Sequence, residues 1–152
     1  SFNMTFSTPQ PMKLEHDELH ADLAAATSVE GPIGDAAKAV SRVLHPHFLK
    51  EDEYALPPLG LLSTLSQNGV RPEMGEVLKM TDRLRHDLPE MLEEHRAIVA
   101  ALDHLANVAQ AEGQQHYVTF AKRLKLHAQT EEEVSYPAAL LIGEYVRLKL
   151  GK

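Results

Sequence analysis

Cysteine is absent from this chain. That absence excludes a disulfide framework, thiolate metal sites, thiol catalysis and cysteine-ligated iron centres, the rubredoxin type included. Tryptophan is absent too, and aromatic residues make up only 5% of the sequence, so the interior must be built largely from aliphatic side chains. No apolar run approaches the roughly 18 residues that a membrane-spanning helix needs. Residues 1–11 lack the basic start and long apolar stretch of a signal peptide, and the expected location is the cytoplasm. Clusters of Lys and Arg of the nucleic-acid-binding kind are missing and the formal charge is −7, so neither nucleic acid nor membrane is an expected partner.

What is present favours helix. With 152 residues and 43% hydrophobic content the chain can form one domain with a packed core. Ala, Leu and Glu dominate, and strand-like alternation occurs nowhere. Proline and glycine punctuate the pattern. Residues 1–12 read as an arm carrying Pro9 and Pro11, with Ser1 to Asn3 either native or an expression remnant. A first helix is expected from about Lys13 to Ser28, and a second from an N-cap at Asp35 to about Leu56, kinked at Pro46. A connector over Leu59–Arg71 holds a short helical turn near Leu61–Ser66. A third helix starts at Pro72 and runs to about Ala111, broken or kinked at Pro89. The fourth runs from about Gln114 to about Lys149, kinked near Pro137. Together these predict an all-α, up-and-down antiparallel four-helix bundle over residues 13–150.

The core-facing stripes of these helices carry residues that do not belong in an apolar core. Positions spaced i, i+4, i+7 and i+11 share one helix face. On the second helix that face reads Val40, Leu44, His47, Glu51 and Tyr54; on the fourth, Phe120, Leu124, His127, Glu131 and Val134. On the third it reads Met91, His95, Ile98, Leu102 and Leu105; on the first, His16, Leu19 with His20, and Leu23. A buried carboxylate is costly unless paired, hydrogen-bonded or bound to a metal, and these stripes hold no Lys or Arg. Imidazoles and carboxylates together suit a divalent or trivalent transition metal.

The chain also repeats itself. His47, Glu51 and Pro57 recur 80 residues later as His127, Glu131 and Pro137, and His16 recurs 79 residues later as His95, each of this pair preceded by Glu. Two helical hairpins of this kind imply a pseudo-twofold bundle with a two-metal centre. Each metal would take one His from the first helix of a hairpin and one from a second helix, and Glu51 and Glu131 would each bridge both. A six-coordinate ion such as iron would keep roughly two positions for solvent oxygen and a small ligand.

The segments "LEHDELHADL", "HPHFLKEDEYALPPL", "LPEMLEEHRAIVAAL" and "LKLHAQTEEEVSYPAAL" together resemble the haemerythrin-like, or HHE cation-binding, family over residues 13–145. The resemblance implies a di-iron centre, oxo- or hydroxo-bridged, at His16, His47, Glu51, His95, His127 and Glu131. Oxygen-carrying members have five His, with H-x3-H on the third helix and a last carboxylate that is an Asp five residues after its His. Here Val99 stands four residues after His95, and Glu131 follows His127 by four. The chain thus looks like the bacterial branch rather than the oxygen-storage branch. The implied function is binding or processing of dioxygen, nitric oxide or peroxide at an open iron position. A redox enzyme acting on peroxide or nitric oxide and an iron buffer are the rival readings.

One His on an apolar stripe is more often a hydrogen-bonded core residue than a ligand, but four, with two Glu at matching positions, reverse that balance. His20, one turn after His16, reads as a fifth ligand, a partner of a ligand, or a gate. His45 reads as a flanking residue, and His86, His104 and His116 as solvated. Glu132 and Glu133 read as solvated, as do Glu53 and Asp52, although Asp52 could support a neighbouring ligand. Tyr54 and Tyr136 read as ordinary packing, or else as hydrogen-bond partners of a metal ligand or proton sources. Ferritin-like di-iron proteins need Glu-x-x-His, which occurs nowhere in the sequence.

Overall fold

The structure is a computed structural model and describes residues 6–152, so the reading of Ser1–Asn3 lies outside the described residues. Six α-helices occur in order: α1 (Gln10–Thr27), α2 (Pro32–Lys50), α3 (Leu62–Asn68), α4 (Val77–Ala111), α5 (Gln115–Thr130) and α6 (Tyr136–Leu150). A five-residue π-helical turn, Glu51–Ala55, extends α2, and a second, Glu131–Ser135, joins α5 to α6. Short 3-10 segments, Pro57–Leu61 and Pro72–Glu76, flank α3. There is no strand among the described residues, and α1, α2, α4 and the α5–α6 unit pack as the four members of a bundle.

Two helix starts differ from expectation for one reason. Proline tolerates the first helical turn, where its missing N–H has no partner to lose. Helix α1 therefore begins at Gln10 with Pro11 inside its first turn, earlier than Lys13. Helix α2 begins at Pro32, capped by Gly31 at φ 92°, and Asp35 lies within the first turn instead of capping it. There its charge faces the positive end of the helix dipole. The expected interruption at Pro89 does not end α4, which continues through it to Ala111 with Pro89 exposed.

The two π turns replace the expected kink near Pro137 and precede Pro57 in the same way. A proline ring collides with the carbonyl four residues back and offers that carbonyl no N–H. For Pro57 and Pro137 those carbonyls are on Glu53 and Glu133, and both lie inside a π turn. The turns close with i→i+5 bonds, Leu56 N–H to Glu51 carbonyl and Tyr136 N–H to Glu131 carbonyl. Each turn inserts one residue into the register, which rotates the remainder of the helix by about 100°. Val134, expected on the inward stripe, is 59% exposed, while Ser135 and Tyr136 are buried; Tyr54, at the equivalent place in the first π turn, stays buried in the apolar core at that end.

Apolar packing forms two separate cores. One is built from Leu19, Val40, Leu44, Phe48, Ile98, Leu102 and Leu124 with their neighbours on α1, α2, α4 and α5. The other holds Tyr54, Leu56, Met74, Leu84, Met91, Tyr136 and Ile142 at the opposite end. The buried His and Glu residues belong to neither and form a polar layer between them.

Candidate metal centre

All six side chains that the sequence singles out converge in that layer. His16, His47, Glu51, His95, His127 and Glu131 are each 8% exposed or less. Two sets of donor atoms lie within 4.8 Å of one another: His47, Glu51, His95 and Glu131 in one, His16, His127 and Glu131 in the other. Glu131 belongs to both. One of its oxygens is 3.3 Å from His95 Nε2, and the other is 3.3 Å from His16 Nε2 and 3.1 Å from His127 Nε2. Glu51 spans the layer likewise, with Oε2 3.6 Å from His47 Nε2 and Oε1 3.8 Å from His16 Nε2. The periodicity left open which His would pair. The fold pairs them across the hairpins, α2 with α4 and α1 with α5.

Three of the four imidazoles are oriented from behind by a hydrogen-bonded carboxylate, and a fourth carboxylate stands near the remaining one. His47 Nδ1–H donates to Glu94 Oε1 at 2.8 Å, and His95 Nδ1–H donates to Glu132 Oε1 at 3.0 Å. His127 Nδ1–H donates to Glu15, and Asp52 stands 3.7 Å from His16 Nδ1. Such contacts place the proton on Nδ1 and leave the Nε2 lone pair directed into the layer. The arrangement obeys the repeat: Glu15 and Glu94 directly precede His16 and His95 but serve His127 and His47, whereas Asp52 and Glu132 come directly after Glu51 and Glu131. Lys50 Nζ in turn holds Glu94 at 2.6 Å. The reading of Glu132 as merely solvated is corrected, since one of its oxygens is committed to His95. The sequence signal for these four carboxylates was visible as Glu-His and Glu-Asp/Glu-Glu pairs in both halves, but nothing in a one-dimensional pattern says which His each would meet.

Other expectations are sorted by burial. His20 does not face inward: it is exposed, with its ring stacked on Phe48 at 4.5 Å, and is in neither donor set. Phe48 and Leu19 occupy the inward space that a ligand at position 20 would need. His45, His86, His104 and His116 are exposed, as expected. Tyr54 donates to Asp87 at 2.7 Å, away from the layer. Tyr136 is different. Its hydroxyl donates to Glu51 Oε2 at 2.6 Å and lies 3.0 Å from His47 Nε2 and 3.2 Å from His95 Nε2.

The charge state of the layer shows what it is suited to hold. Burial, then the neighbouring Glu131, push the Glu51 carboxyl well above the usual range. Burial acts upward on Glu131 too, but its contacts with Glu51, His127, His16 and His95 outweigh it and hold Glu131 well below. Burial lowers the pKa of His47 despite its bond to Glu94. For His127, burial is outweighed by Glu131 and Glu15, and the net shift is upward. Burial and the two carboxylates push the Tyr136 phenol upward.

Without a cation this layer is poorly satisfied. Glu51 Oε1 is buried with no hydrogen-bond partner. Among the described residues, no Lys or Arg pairs with Glu51 or Glu131. His16 Nε2 and His127 Nε2 face each other at 3.0 Å, and both also point at the same Glu131 oxygen. An orphaned carboxyl oxygen and imidazole nitrogens crowded against two buried carboxyl groups are what a bound cation would satisfy, so the donor set fits a metal ion.

Comparison with protein-family models matches the hemerythrin HHE cation binding domain over residues 10–139. No curated protein and no solved structure matches the chain.

Proposed function

The chain belongs to the hemerythrin HHE cation-binding family, and from that premise we propose that it holds two iron ions and binds or processes dioxygen, nitric oxide or peroxide. Family membership implies cation binding; the two irons and the small ligand are our reading. His47 and His95 would hold one ion, His16 and His127 the other, with Glu51 and Glu131 joining both. The observation that carries this is the position of Glu131, one oxygen of which faces His95 and the other both His16 and His127. When bound, iron would supply a redox-active Lewis acid with a position for a small ligand. The protein's share is to hold the imidazoles by their Nδ1 carboxylates, to join the positions through Glu51 and Glu131, and to keep the layer dry between two apolar cores.

A cavity of about 310 Å³ reaches the layer at His16 and is lined also by Lys13, Asp17, Asp52 and Phe6. It provides a route for a small ligand toward the His16–His127 position.

Metal quantification with an optical spectrum of freshly purified protein is the direct test, and about two irons per chain are expected. Glu51→Ala or Glu131→Ala should lower that content to about one or none, whereas His104→Ala should leave it unchanged. Retention of both metals by both glutamate variants overturns the bridging assignment. Anaerobic reduction and subsequent exposure to air separate the functional classes. A stable oxygenated spectrum indicates a carrier, immediate oxidation an enzyme or buffer, and oxygen release from added peroxide the enzyme.

A further inference from the structure

The pseudo-twofold repeat breaks at one buried position. Eighty residues before Tyr136 stands Leu56, and both are buried. Leu56 offers no donor, while Tyr136 brings a phenol oxygen against three donor atoms of the His47–His95 set. We propose, building on the metal centre argued above, that Tyr136 is a fifth protein ligand at the His47–His95 position, leaving the exchangeable position on the metal between His16 and His127.

The spacing supports ligation. For metal–ligand bonds of about 2.0–2.2 Å, adjacent donors at right angles lie about 3 Å apart. The Tyr136 oxygen lies 2.6 Å from Glu51 Oε2, 3.0 Å from His47 Nε2 and 3.2 Å from His95 Nε2. Proton accounting supports it as well. Glu94 and Glu132 hold the Nδ1 protons of His47 and His95, so both Nε2 atoms present lone pairs. The phenol has one proton, and it is directed at Glu51. The phenol oxygen therefore faces two lone pairs with no proton between them, an arrangement that a shared cation turns from repulsive to favourable. A hydroxyl that only supported a ligand from outside would meet one donor atom from behind, as Glu94 meets His47. Access agrees with this inequality, since a cavity that reaches the layer among the described residues is lined by His16 and by none of His47, His95 and Tyr136.

Ligation forms a metal–oxygen bond and breaks the phenol O–H; the proton leaves to solvent, and no electrons are transferred. The full-length chain loaded with ferric iron provides the test. Resonance Raman excited in the visible should show enhanced phenolate vibrations in the parent protein. Tyr136→Phe should lose them while keeping its iron content and far-ultraviolet circular dichroism. Tyr54→Phe, which alters a hydroxyl bonded to Asp87, should keep them. Azide titration of the ferric protein should show one azide in the parent and a second in Tyr136→Phe, where the blocked position opens. Two irons with no phenolate vibrations in the parent overturn the assignment and leave the metal centre standing. No bound iron in the parent overturns the centre itself and this assignment with it.

Discussion

Glu51 combines three features that are unfavourable in a metal-free protein: complete burial, a second carboxylate beside it, and an oxygen with no hydrogen-bond partner. A buried unsatisfied polar group costs about 1–3 kcal/mol. Replacing the carboxyl by an amide of the same shape removes the charge conflict with Glu131. Glu51→Gln is therefore expected to stabilise the metal-free protein by about 1 kcal/mol or more while lowering its metal content, measured by thermal melting of chelated samples beside metal analysis. A melting midpoint that falls would show that the carboxyl is satisfied by something other than a cation. The orienting carboxylates permit a second test at this scale. Glu132→Ala removes the partner of His95 Nδ1 and should weaken metal affinity about 10–100-fold in chelator competition. Its neighbour Glu133 is exposed and bonded to Gln129, so Glu133→Ala should change nothing. Equal effects from the two would mean that local negative charge, not the bond to His95, matters.

At the scale of elements, the site depends on where helices tighten, widen and cross. Glu51 and Glu131 each open a π turn, so the widened turn and the carboxylate come from the same five residues. At the second π turn Tyr136 is buried and Val134 exposed. The α4–α6 crossing sets how closely α6 approaches. A Cβ at Gly143 would stand 2.3 Å from Thr81 Oγ1, a buried hydroxyl without a partner. Gly143→Ala gains about 1 kcal/mol of helix propensity but overpacks this contact at a cost of about 1–3 kcal/mol. The variant should melt lower than the parent, and adding Thr81→Gly, which also removes the Thr81 Cβ that would stand 2.6 Å away, should restore part of the loss. If the double variant melts no higher than Gly143→Ala alone, the contact with Thr81 is not the cause.

For the molecule as a whole, a polar layer lies between two apolar cores, each with its own packed side chains. The cores do not need a metal to form, so chelation should leave the helical circular dichroism largely intact. A metal that binds only the folded state contributes about 2.7 kcal/mol when free metal is a hundred times Kd. For a domain of this size, chelation should then lower the melting midpoint by about 5–10 °C per ion lost. An unchanged midpoint would indicate that the layer holds no metal under those conditions. No helix among the described residues is long and apolar enough to cross a membrane.

The amino-acid sequence by itself determined the helical class, the four long members and the six residues of the layer. Period 3.6 places His16, His47, Glu51, His95, His127 and Glu131 on core-facing stripes, and the 80-residue repeat relates the two halves. Both are local or self-referential patterns, which a chain displays before it folds. Only the tertiary structure decided how the halves interlock. The pairing of His47 with His95 and of His16 with His127 joins helices distant in sequence. So do the matching of Glu15 to His127 and Glu94 to His47, the exposure of His20 and the approach of Tyr136 to Glu51. The physical reason is rotational. Periodicity fixes the face of a helix to within about one residue's turn, and a single extra residue in a π turn, or one bulky Phe48 beside His20, reassigns what that face meets.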